Sequence, residues 1–441
     1  MYVKSITLEN LKGFASLHFD FQRPDKSYAG WTVFVGGNAS GKSTLLKSIA
    51  LALIGPDAGY ELIGRVPAGW LARSEHRAKA MTQVDWDQTH DKFKPSGKPP
   101  GGVFDAEVRW QLEKGEEIPI FRAAPLPKNK RTGSAQRGPW NPNAPGWFCA
   151  GYGPMRRLSG DSTQAGMLTA RGGVVSRFVT LFREDAALSE SEAWLKTNYS
   201  RWLESKSPEL KQLLDGVTAL LNDDLLPHGM KISRTTVDHV FIQDKNGLEL
   251  PMRDISDGCR SIYATVLDLV HGMFEVYGIV GLFGSDSAGR PIVTHPGVVM
   301  IDEIEAHLHP SWQRDIPEWL KQHFPNVQFL VTTHSPLVAQ AADPNGVFVL
   351  PSQTDLNREP RPLDADELEK LRLGNAVKTL LGTAFGLNKT RSYWANQQIE
   401  QWKLLNAKAK SGAPLSKQET KKYEHLREQM NLAFERDPET I

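Results

Sequence analysis

Residues 36–43 have the side chains and the spacing suited to binding the phosphates of a nucleotide. They read Gly-Gly-Asn-Ala-Ser-Gly-Lys-Ser and satisfy the pattern G-x-x-x-x-G-K-[ST]. Glycines let consecutive backbone N–H groups converge on phosphate oxygens, and the start of a helix adds its positive dipole end. Lys42 is expected to reach the β and γ phosphates as a catalytic residue, and the Ser43 hydroxyl to take one position on Mg²⁺. The sequence thus predicts a site for ATP and Mg²⁺, with nucleotide contacts at Gly36, Gly37, Asn38, Ala39, Ser40, Gly41, Lys42, Ser43 and Thr44.

Two acidic residues end a second segment that could complete this chemistry. Residues 297–301 are almost wholly apolar and lead into Asp302 and Glu303. At the carboxyl edge of a strand beside the phosphate loop, Asp302 would hold Mg²⁺ through water and Glu303 would polarise the attacking water as general base. Taken alone, the segment also fits a buried strand that exits into solvent through two acids.

Two further segments could contact the nucleotide. His334 follows the apolar run 329–332, where its imidazole would hydrogen-bond the γ phosphate as a third catalytic residue. A purely structural histidine at a strand end is the alternative. Ser256, Asp257 and Gly258 precede a helix predicted from about Arg260, and such a small turn forms a second anion site for the nucleotide. An ordinary helix cap made by Ser256 or Asp257 is the alternative there.

The elements that must position these residues follow from the spacing of apolar side chains. Residues 2–9 alternate as a half-buried strand does, and residues 31–35 form a short apolar strand that ends in the glycine loop. Residues 45–54 have helical spacing, so strand, loop and helix form a phosphate-binding unit. The apolar runs 298–301 and 329–332 are typical of strands covered on both faces. The predicted fold class is α/β with a mainly parallel central sheet.

Shifts in composition divide the chain into five segments. Residues 58–150 are rich in proline, glycine and basic residues, so we interpret them as an insertion of loops with some strands, one of them at 103–111. A helical lobe with a hairpin at 237–250 follows, and the chain beyond 351 is charged and helical. The predicted segments are 1–57 (first part of the core), 58–150 (insertion), 151–297 (helical lobe), 298–350 (second part of the core) and 351–441 (C-terminal extension).

Composition excludes several classes of protein. The 441 residues include 40% apolar and 23% charged residues, which is typical of a globular protein. A formal charge of +1 argues against a general basic coat, although a local basic patch stays open. Two cysteines are too few for a disulfide-stapled secreted fold, and no run reaches the roughly 20 apolar residues of a membrane span. We therefore expect a cytoplasmic protein.

The motifs together resemble those of the ABC-type ATPases, in the branch that includes SMC proteins, RecF and the ATPase part of OLD-family nucleases. Residues 255–259 resemble the signature motif, residues 302–310 resemble Walker B running into the D-loop, and His334 matches the switch histidine. The resemblance covers about residues 1–345. It implies a P-loop NTPase fold with a helical signature lobe and a head-to-tail dimer. Each nucleotide would then lie between Lys42 of one chain and Ser256 with Gly258 of another.

A closer resemblance is to the ATPase subunits of Septu systems of anti-phage defence, which also occur beside some retrons. It rests on residues 151–157, 182–189, 302–312 and 385–392. It implies an Mg-dependent ATPase that forms a dimer or a higher oligomer and regulates a nuclease effector, suspected to be of HNH type, supplied in trans. The charged helices at 363–430 are the candidate docking region. Asp257 stands where many relatives have glycine, and residues 43–256 lack the long heptads of SMC arms.

Two other functions stay open at this stage. A DNA-repair or DNA-end-binding ATPase of the RecF kind would need a basic groove, and solvated loop charges are the alternative reading of its candidate residues. Those candidates are Lys128, Lys130, Arg131, Arg137, Arg156 and Arg157. The chain could also itself be a nuclease or a transporter ATPase, although the sequence offers no convincing nuclease centre.

Overall fold

The structure is a computed structural model, and it describes residues 1–64, 67–114, 116, 118–126, 133–156, 163–351, 359–385 and 391–434. The chain forms two compact units. The larger unit comprises Met1–Thr379 and Thr383–Phe385, and the smaller comprises Leu380–Gly382 and Gly386–Ile441.

The strands of the described ranges all lie in the larger unit. In chain order they are β1 (Tyr2–Leu11), β2 (Phe14–Asp20), β3 (Gly30–Gly36), β4 (Arg77–Asp85), β5 (Phe104–Gln111), β6 (Ile120–Ala123), β7 (Cys149–Tyr152), β8 (Lys231–Thr235), β9 (Val240–Gln243), β10 (Glu249–Pro251), β11 (Phe283–Ser285), β12 (Pro291–Val293), β13 (Gly297–Ile301), β14 (Val327–Thr333), β15 (Val347–Leu350) and β16 (Arg361–Pro362).

The helices of the described ranges follow the same numbering. In chain order they are α1 (Lys42–Ile63), α2 (Ser134–Arg137), α3 (Thr163–Thr169), α4 (Gly173–Ser176), α5 (Val179–Phe182), α6 (Ser189–Ser205), α7 (Pro208–Leu221), α8 (Asp257–Tyr277), α9 (Pro310–His323), α10 (Pro336–Gln340), α11 (Ala365–Leu373), α12 (Ala376–Leu381), α13 (Tyr393–Lys410) and α14 (Lys417–Phe434). Within the described ranges, none of these helices has the length and apolarity needed to cross a membrane.

The central sheet has the strand order β16-β15-β3-β14-β13-β7. Strands β15, β3, β14, β13 and β7 run parallel, and only the short edge strand β16 is antiparallel. Every residue of β13 and β14 is buried, which is why these segments are nearly continuous apolar runs. The predicted α/β class with a mainly parallel central sheet is confirmed.

A second, antiparallel sheet has the order β2-β1-β4-β5-β6. Three of its strands come from the range 58–150, which therefore completes a sheet begun at the N-terminus instead of standing apart from the core as an insertion would. Of these three strands, only β5 is predicted from the sequence. Strand β4 is not, because its buried positions include small or polar residues such as Ala78, Ala80 and Thr82, which give a weak apolar signal.

Helix α1 connects the two sheets, since it packs against β4, β5 and β6 of one sheet and β14 and β13 of the other. The helix is kinked at Gly55, whose φ of 81° is not helical. The Trp140 indole N–H donates to the carbonyl of Ala52 at 2.8 Å, just before the kink. A Cβ at position 55 would lie 2.6 Å from the Trp140 ring, so the kink, the glycine and the tryptophan form one packing unit.

The signature lobe consists of α6, α7, α8 and the small sheet β10-β9-β8. Helix α8 begins at Asp257, three residues before the predicted start at Arg260. Its buried face includes Tyr263, Leu267 and Val270, which contribute to one of the two hydrophobic cores. The predicted hairpin at 237–250 corresponds to β9 and β10, which pair antiparallel.

In the smaller unit, α13 and α14 pack against each other. The Ser392 side chain accepts a hydrogen bond from the Ala395 N–H and so caps the start of α13. Lys408 forms an ion pair with Glu419 at 2.8 Å, and the Tyr423 hydroxyl donates to Asn406 at 3.1 Å. These polar contacts join the two helices side by side.

Candidate nucleotide site

The phosphate loop lies between β3 and α1, at the carboxyl end of the central sheet. Gly41 has a φ of 94°, a backbone conformation that favours glycine, and a Cβ there would lie 2.5 Å from the Phe14 ring. A Cβ at Gly36 would lie 2.3 Å from the carbonyl oxygen of Leu350 on the neighbouring strand. Both glycines are therefore required by close approaches, which leaves the loop pressed against β15 and the β1–β2 turn.

Lys42 lies folded over this loop. Its ammonium group donates to the carbonyl oxygens of Gly36 at 2.9 Å and Gly37 at 3.0 Å. Burial lowers the pKa of Lys42, while the carboxylates of Asp302 and Glu303 act in the opposite direction. The first turn of α1 leaves backbone N–H groups without helical partners. These N–H donors and the Lys42 ammonium group therefore lie together at the place where the motif predicts phosphate.

A cavity of about 1250 Å³ lies over the loop. Its walls bring the phosphate loop together with Glu303 and His334, which follow Lys42 by 261 and 292 residues in the sequence. The lining residues are Lys12, Gly13, Phe14, Ala15, Ser16, Leu17, His18, Asn38, Ala39, Ser40, Gly41, Lys42, Ser43, Thr44, Glu303, His334, Pro351, Glu359 and Pro360. Three predicted catalytic residues, Lys42, Glu303 and His334, thus share one cavity.

Thr332 at the end of β14 links the two acids of the second motif. Its hydroxyl donates to the Asp302 carboxylate at 2.5 Å and accepts the backbone N–H of Glu303 at 2.8 Å. Glu303 has a φ of 47°, a backbone conformation that is uncommon for a residue other than glycine. The acids are thereby fixed at the edge of the sheet by the neighbouring parallel strand.

Arg156, four residues past β7, holds this acidic turn from below. Its buried guanidinium donates to the carbonyls of Gly153 and Asp302 at 2.8 Å, and to those of Glu303 and Ile304 at 3.3 and 3.2 Å. Burial lowers the pKa of Arg156 to about 10, and the adjacent carboxylates act in the opposite direction. Nothing in the neighbouring residues distinguishes Arg156 from Arg157, so this role of Arg156 is not predictable from the sequence.

The basic groove considered for the DNA-binding alternative is therefore wrong at Arg156, which is only 4% exposed beneath the acidic turn. Arg137 donates to the carbonyls of Pro95 and Lys98 and its guanidinium lies over the Phe93 ring. The other candidates, Lys128, Lys130, Arg131 and Arg157, lie outside the described residues.

The signature residues lie apart from this cavity. Ser256 is the N-cap of α8, but its hydroxyl contacts the Cys259 thiol at 3.0 Å and makes no capping bond to the backbone. Asp257 pairs with Arg260. A Cβ at Gly258 would lie 2.4 Å from the carbonyl of His307, so the start of α8 abuts the turn after the acid pair. Ser256, Asp257 and Gly258 do not line the cavity of their own chain.

The donors present fit a nucleotide and an oxygen-preferring cation. Ser40 has a buried hydroxyl that lacks a partner among the described residues, inside the loop that would hold phosphate. Mg²⁺ prefers oxygen ligands, which the Ser43 hydroxyl and the Asp302 carboxylate can supply. Within the described part of the chain, no group of three or more His, Cys, Asp or Glu residues could hold a metal by itself.

Comparison with protein families finds two matches. The family described as "AAA domain, putative AbiEii toxin, Type IV TA system" matches residues 174–339, and a family described as "AAA domain" matches residues 5–96. Together these ranges contain the phosphate loop, the signature residues, the acid pair and His334.

Curated relatives come from bacterial Septu and retron systems. The chain is 25% identical over 390 residues to the Septu protein PtuA of Bacillus mycoides, covering 88% of this chain and 45% of the relative. It is 30% identical over 171 residues to the Septu protein PtuA of Bacillus thuringiensis, covering 38% of this chain and 40% of the relative. The "Retron Ec83 probable ATPase" of Escherichia coli is 36% identical over 121 residues, covering 27% and 20%. The chain spans less than half the length of these relatives.

Solved structures of SMC head domains are also similar. One SMC head, bound to the C-terminal winged-helix domain of ScpA, is 12% identical with a TM-score of 0.44, covering 84% of this chain and all of the other. The SMC head domain from Thermotoga maritima is 15% identical with a TM-score of 0.39, covering 79% and 94%. The motifs and the mainly parallel central sheet are those of a P-loop NTPase, and the chain is similar in sequence to Septu and retron ATPases of bacteria.

Proposed function

We propose that this chain, a P-loop NTPase similar to the ATPases of Septu and retron systems, binds and hydrolyses ATP with Mg²⁺ as the regulatory subunit of an anti-phage defence complex. The observation that carries the proposal is the meeting of Lys42, Glu303 and His334 in one cavity. The similarity to Septu PtuA proteins along 88% of the chain supports the biological setting.

Each of the three residues has a distinct task in this mechanism. Lys42 leaves the carbonyls of Gly36 and Gly37 and donates to phosphate oxygens instead. Glu303 orients water and takes up its proton, and the His334 imidazole donates a hydrogen bond to the terminal phosphate. Ser43 and Asp302 would hold Mg²⁺, which would supply positive charge beside the phosphates of ATP.

We further propose that the active species is a head-to-tail dimer or a higher oligomer. Ser256, Asp257 and Gly258 form a helix start outside the cavity of their own chain, with the Ser256 hydroxyl making no capping bond to the backbone. In the dimer this turn supplies N–H donors to the nucleotide of the other chain. Closing and opening of the pair would then depend on the γ phosphate, as a two-state element does.

The output of the cycle would be control of a nuclease effector, suspected to be of HNH type, supplied in trans. We propose that the effector docks on the C-terminal extension, where α13 exposes large apolar side chains. Tyr393 is 80% exposed, Trp394 61% and Leu404 71%. Exposed aromatic residues of this kind are typical of protein interfaces.

ATP turnover by purified variants tests the enzymatic part. We expect Lys42→Ala and Glu303→Gln to lower kcat at least 100-fold, while the matched controls Lys47→Ala and Glu318→Gln stay within twofold of the wild type. Wild-type turnover by Glu303→Gln would contradict the assignment of the base.

Mass measurement tests the oligomeric part. In the Glu303→Gln background, ATP is expected to shift the mass to that of a dimer or higher oligomer, and Ser256→Arg is expected to abolish the shift. Co-purification with and without the Trp394→Ala change tests the docking surface. A monomeric mass with ATP, or normal ATP turnover by Ser256→Arg, would contradict the composite site.

A further inference from the structure

The carboxylate of Glu305 has no task in the proposed mechanism, yet it makes two short hydrogen bonds next to His334. One oxygen accepts the hydroxyl of Thr333 at 2.6 Å, and the other accepts the backbone N–H of His334 at 2.5 Å. The hydroxyl of Thr333 also accepts the backbone N–H of Ser335 at 2.9 Å, so its proton is directed to Glu305. One carboxylate oxygen therefore holds the Thr333 side chain, and the other holds the backbone of the switch histidine itself.

The same residue shapes the turn that follows the acid pair. The Glu305 carbonyl accepts the N–H of Leu308 at 2.9 Å, and between them His307 has a φ of 66°. The carbonyl of His307 faces Gly258, where a Cβ would lie only 2.4 Å away. Glu305 thus belongs to two contacts at once, one with the backbone of His334 and one with the turn that supports the signature residues.

This arrangement is distinct from the link made by Thr332. Thr332 contacts Asp302 and Glu303, the two residues proposed to hold Mg²⁺ and to orient water. Glu305 contacts Thr333 and His334, which lie one and two residues further along. A hydrogen bond that a backbone N–H donates to a carboxylate is charge-assisted and among the stronger ones, so Glu305 adds a strong link to residues that Thr332 does not hold.

We propose that Glu305 is a positioning residue that couples the switch histidine of one nucleotide site to the signature turn that serves the other site. Loss of the γ phosphate releases the His334 side chain. The His334 backbone, which Glu305 holds, then shifts the 305–308 turn, and Gly258 follows because it abuts the His307 carbonyl. This proposal rests on the proposed function for its dimer, but the link between Glu305 and His334 exists within one chain.

Hydrogen exchange tests that link without any need for ATP turnover. In Glu305→Ala both acceptors are lost, so the amide of His334 is expected to exchange at least tenfold faster than in the wild type. Glu305→Gln keeps one acceptor for that amide and should restore most of the protection. The control Glu318→Ala removes a carboxylate from α9 whose contacts are with Lys321 and Gln322, and it should change nothing near His334. Unchanged exchange at His334 in Glu305→Ala would overturn the proposal whatever the enzymatic activity.

Steady-state kinetics test the coupling. Glu305→Ala is expected to lower kcat about tenfold, to leave KM for ATP within threefold, and to reduce the Hill coefficient to 1, with Glu305→Gln close to the wild type. A wild-type Hill coefficient in Glu305→Ala would overturn the coupling. A lower kcat together with a higher KM and a lower thermal stability would overturn it as well, because these changes together indicate general damage to the fold. A wild type without ATP turnover would instead contradict the proposed function, and the exchange experiment would still decide the role of Glu305.

Discussion

Replacement of Arg156 by methionine tests whether a buried cation holds the acidic turn in place. The guanidinium donates to four carbonyl oxygens, and two of these bonds are 2.8 Å long. Hydrogen bonds from charged donors contribute about 1.5 kcal/mol each at the low end, so the two short bonds alone amount to about 3 kcal/mol. Methionine fills a similar apolar volume but leaves the carbonyls of Asp302 and Glu303 without these partners.

We therefore expect Arg156→Met to lower the free energy of unfolding by about 3 kcal/mol. Arg156→Lys should lose about half of this, because an ammonium directs its donors from a single point and cannot span four carbonyls. Denaturant unfolding followed by tryptophan fluorescence measures the change. The control Arg137→Met removes two long bonds of 3.3 Å and a contact with the Phe93 ring at a more exposed site, and it should cost about 1 kcal/mol.

Catalysis should respond as well, because Glu303 owes its unusual φ of 47° to the turn that Arg156 holds. A loss of at least tenfold in kcat corresponds to about 1.4 kcal/mol of the activation barrier. The reasoning is refuted if Arg156→Met unfolds within about 0.5 kcal/mol of the wild type, the usual range for surface substitutions.

Three more changes probe the framework around the site. Gly55→Ala should lower the free energy of unfolding by about 2–4 kcal/mol in a denaturant titration, because the new Cβ would lie 2.6 Å from the Trp140 ring at a φ of 81°. The control Gly101→Ala, which has open space around the new Cβ, should change the free energy of unfolding by under about 0.5 kcal/mol. Tyr152→Phe removes the hydrogen bond to Asp268 at 2.9 Å in a buried setting and should cost about 1–2 kcal/mol, and a change below about 0.3 kcal/mol would contradict this. The hydrogen bond from Arg361 lowers the pKa of Glu367 to about 2, so its stabilising effect is complete above the unfolded pKa near 4.5 and is lost as the pH falls towards 2. Unfolding midpoints at pH 5 and pH 3 should therefore differ less in Glu367→Gln than in the wild type, and equal differences would refute it.

The elements best predicted from the sequence are those whose environment is uniform along the segment. Strands β3, β13 and β14 are buried on both faces, so each is a continuous apolar run with little ambiguity. The phosphate loop is equally local, since its glycines and Lys42 act within eight consecutive residues.

The features that escaped prediction depend on contacts between distant segments. Nothing in the local sequence distinguishes the buried Arg156 from an exposed loop arginine, because three of its four carbonyl partners lie almost 150 residues away. The contacts of Glu305 with Thr333 and His334 likewise join the ends of two parallel strands. Such pairings become visible only once the strand order is known, and backbone carbonyls leave no signature in the sequence.

The order of strands in the central sheet has a consequence for the synthesis of the chain on the ribosome. Strand β3 emerges early, yet both of its neighbours, β14 and β15, lie beyond residue 326. The antiparallel sheet β2-β1-β4-β5-β6, by contrast, is complete by residue 123. The nascent protein can therefore fold its N-terminal sheet first, while the strand that carries the phosphate loop lacks its neighbours in the sheet until β14 and β15 have been translated. A nucleotide can then stabilise the nascent chain only after the residues of β15, which ends at Leu350, have left the ribosome.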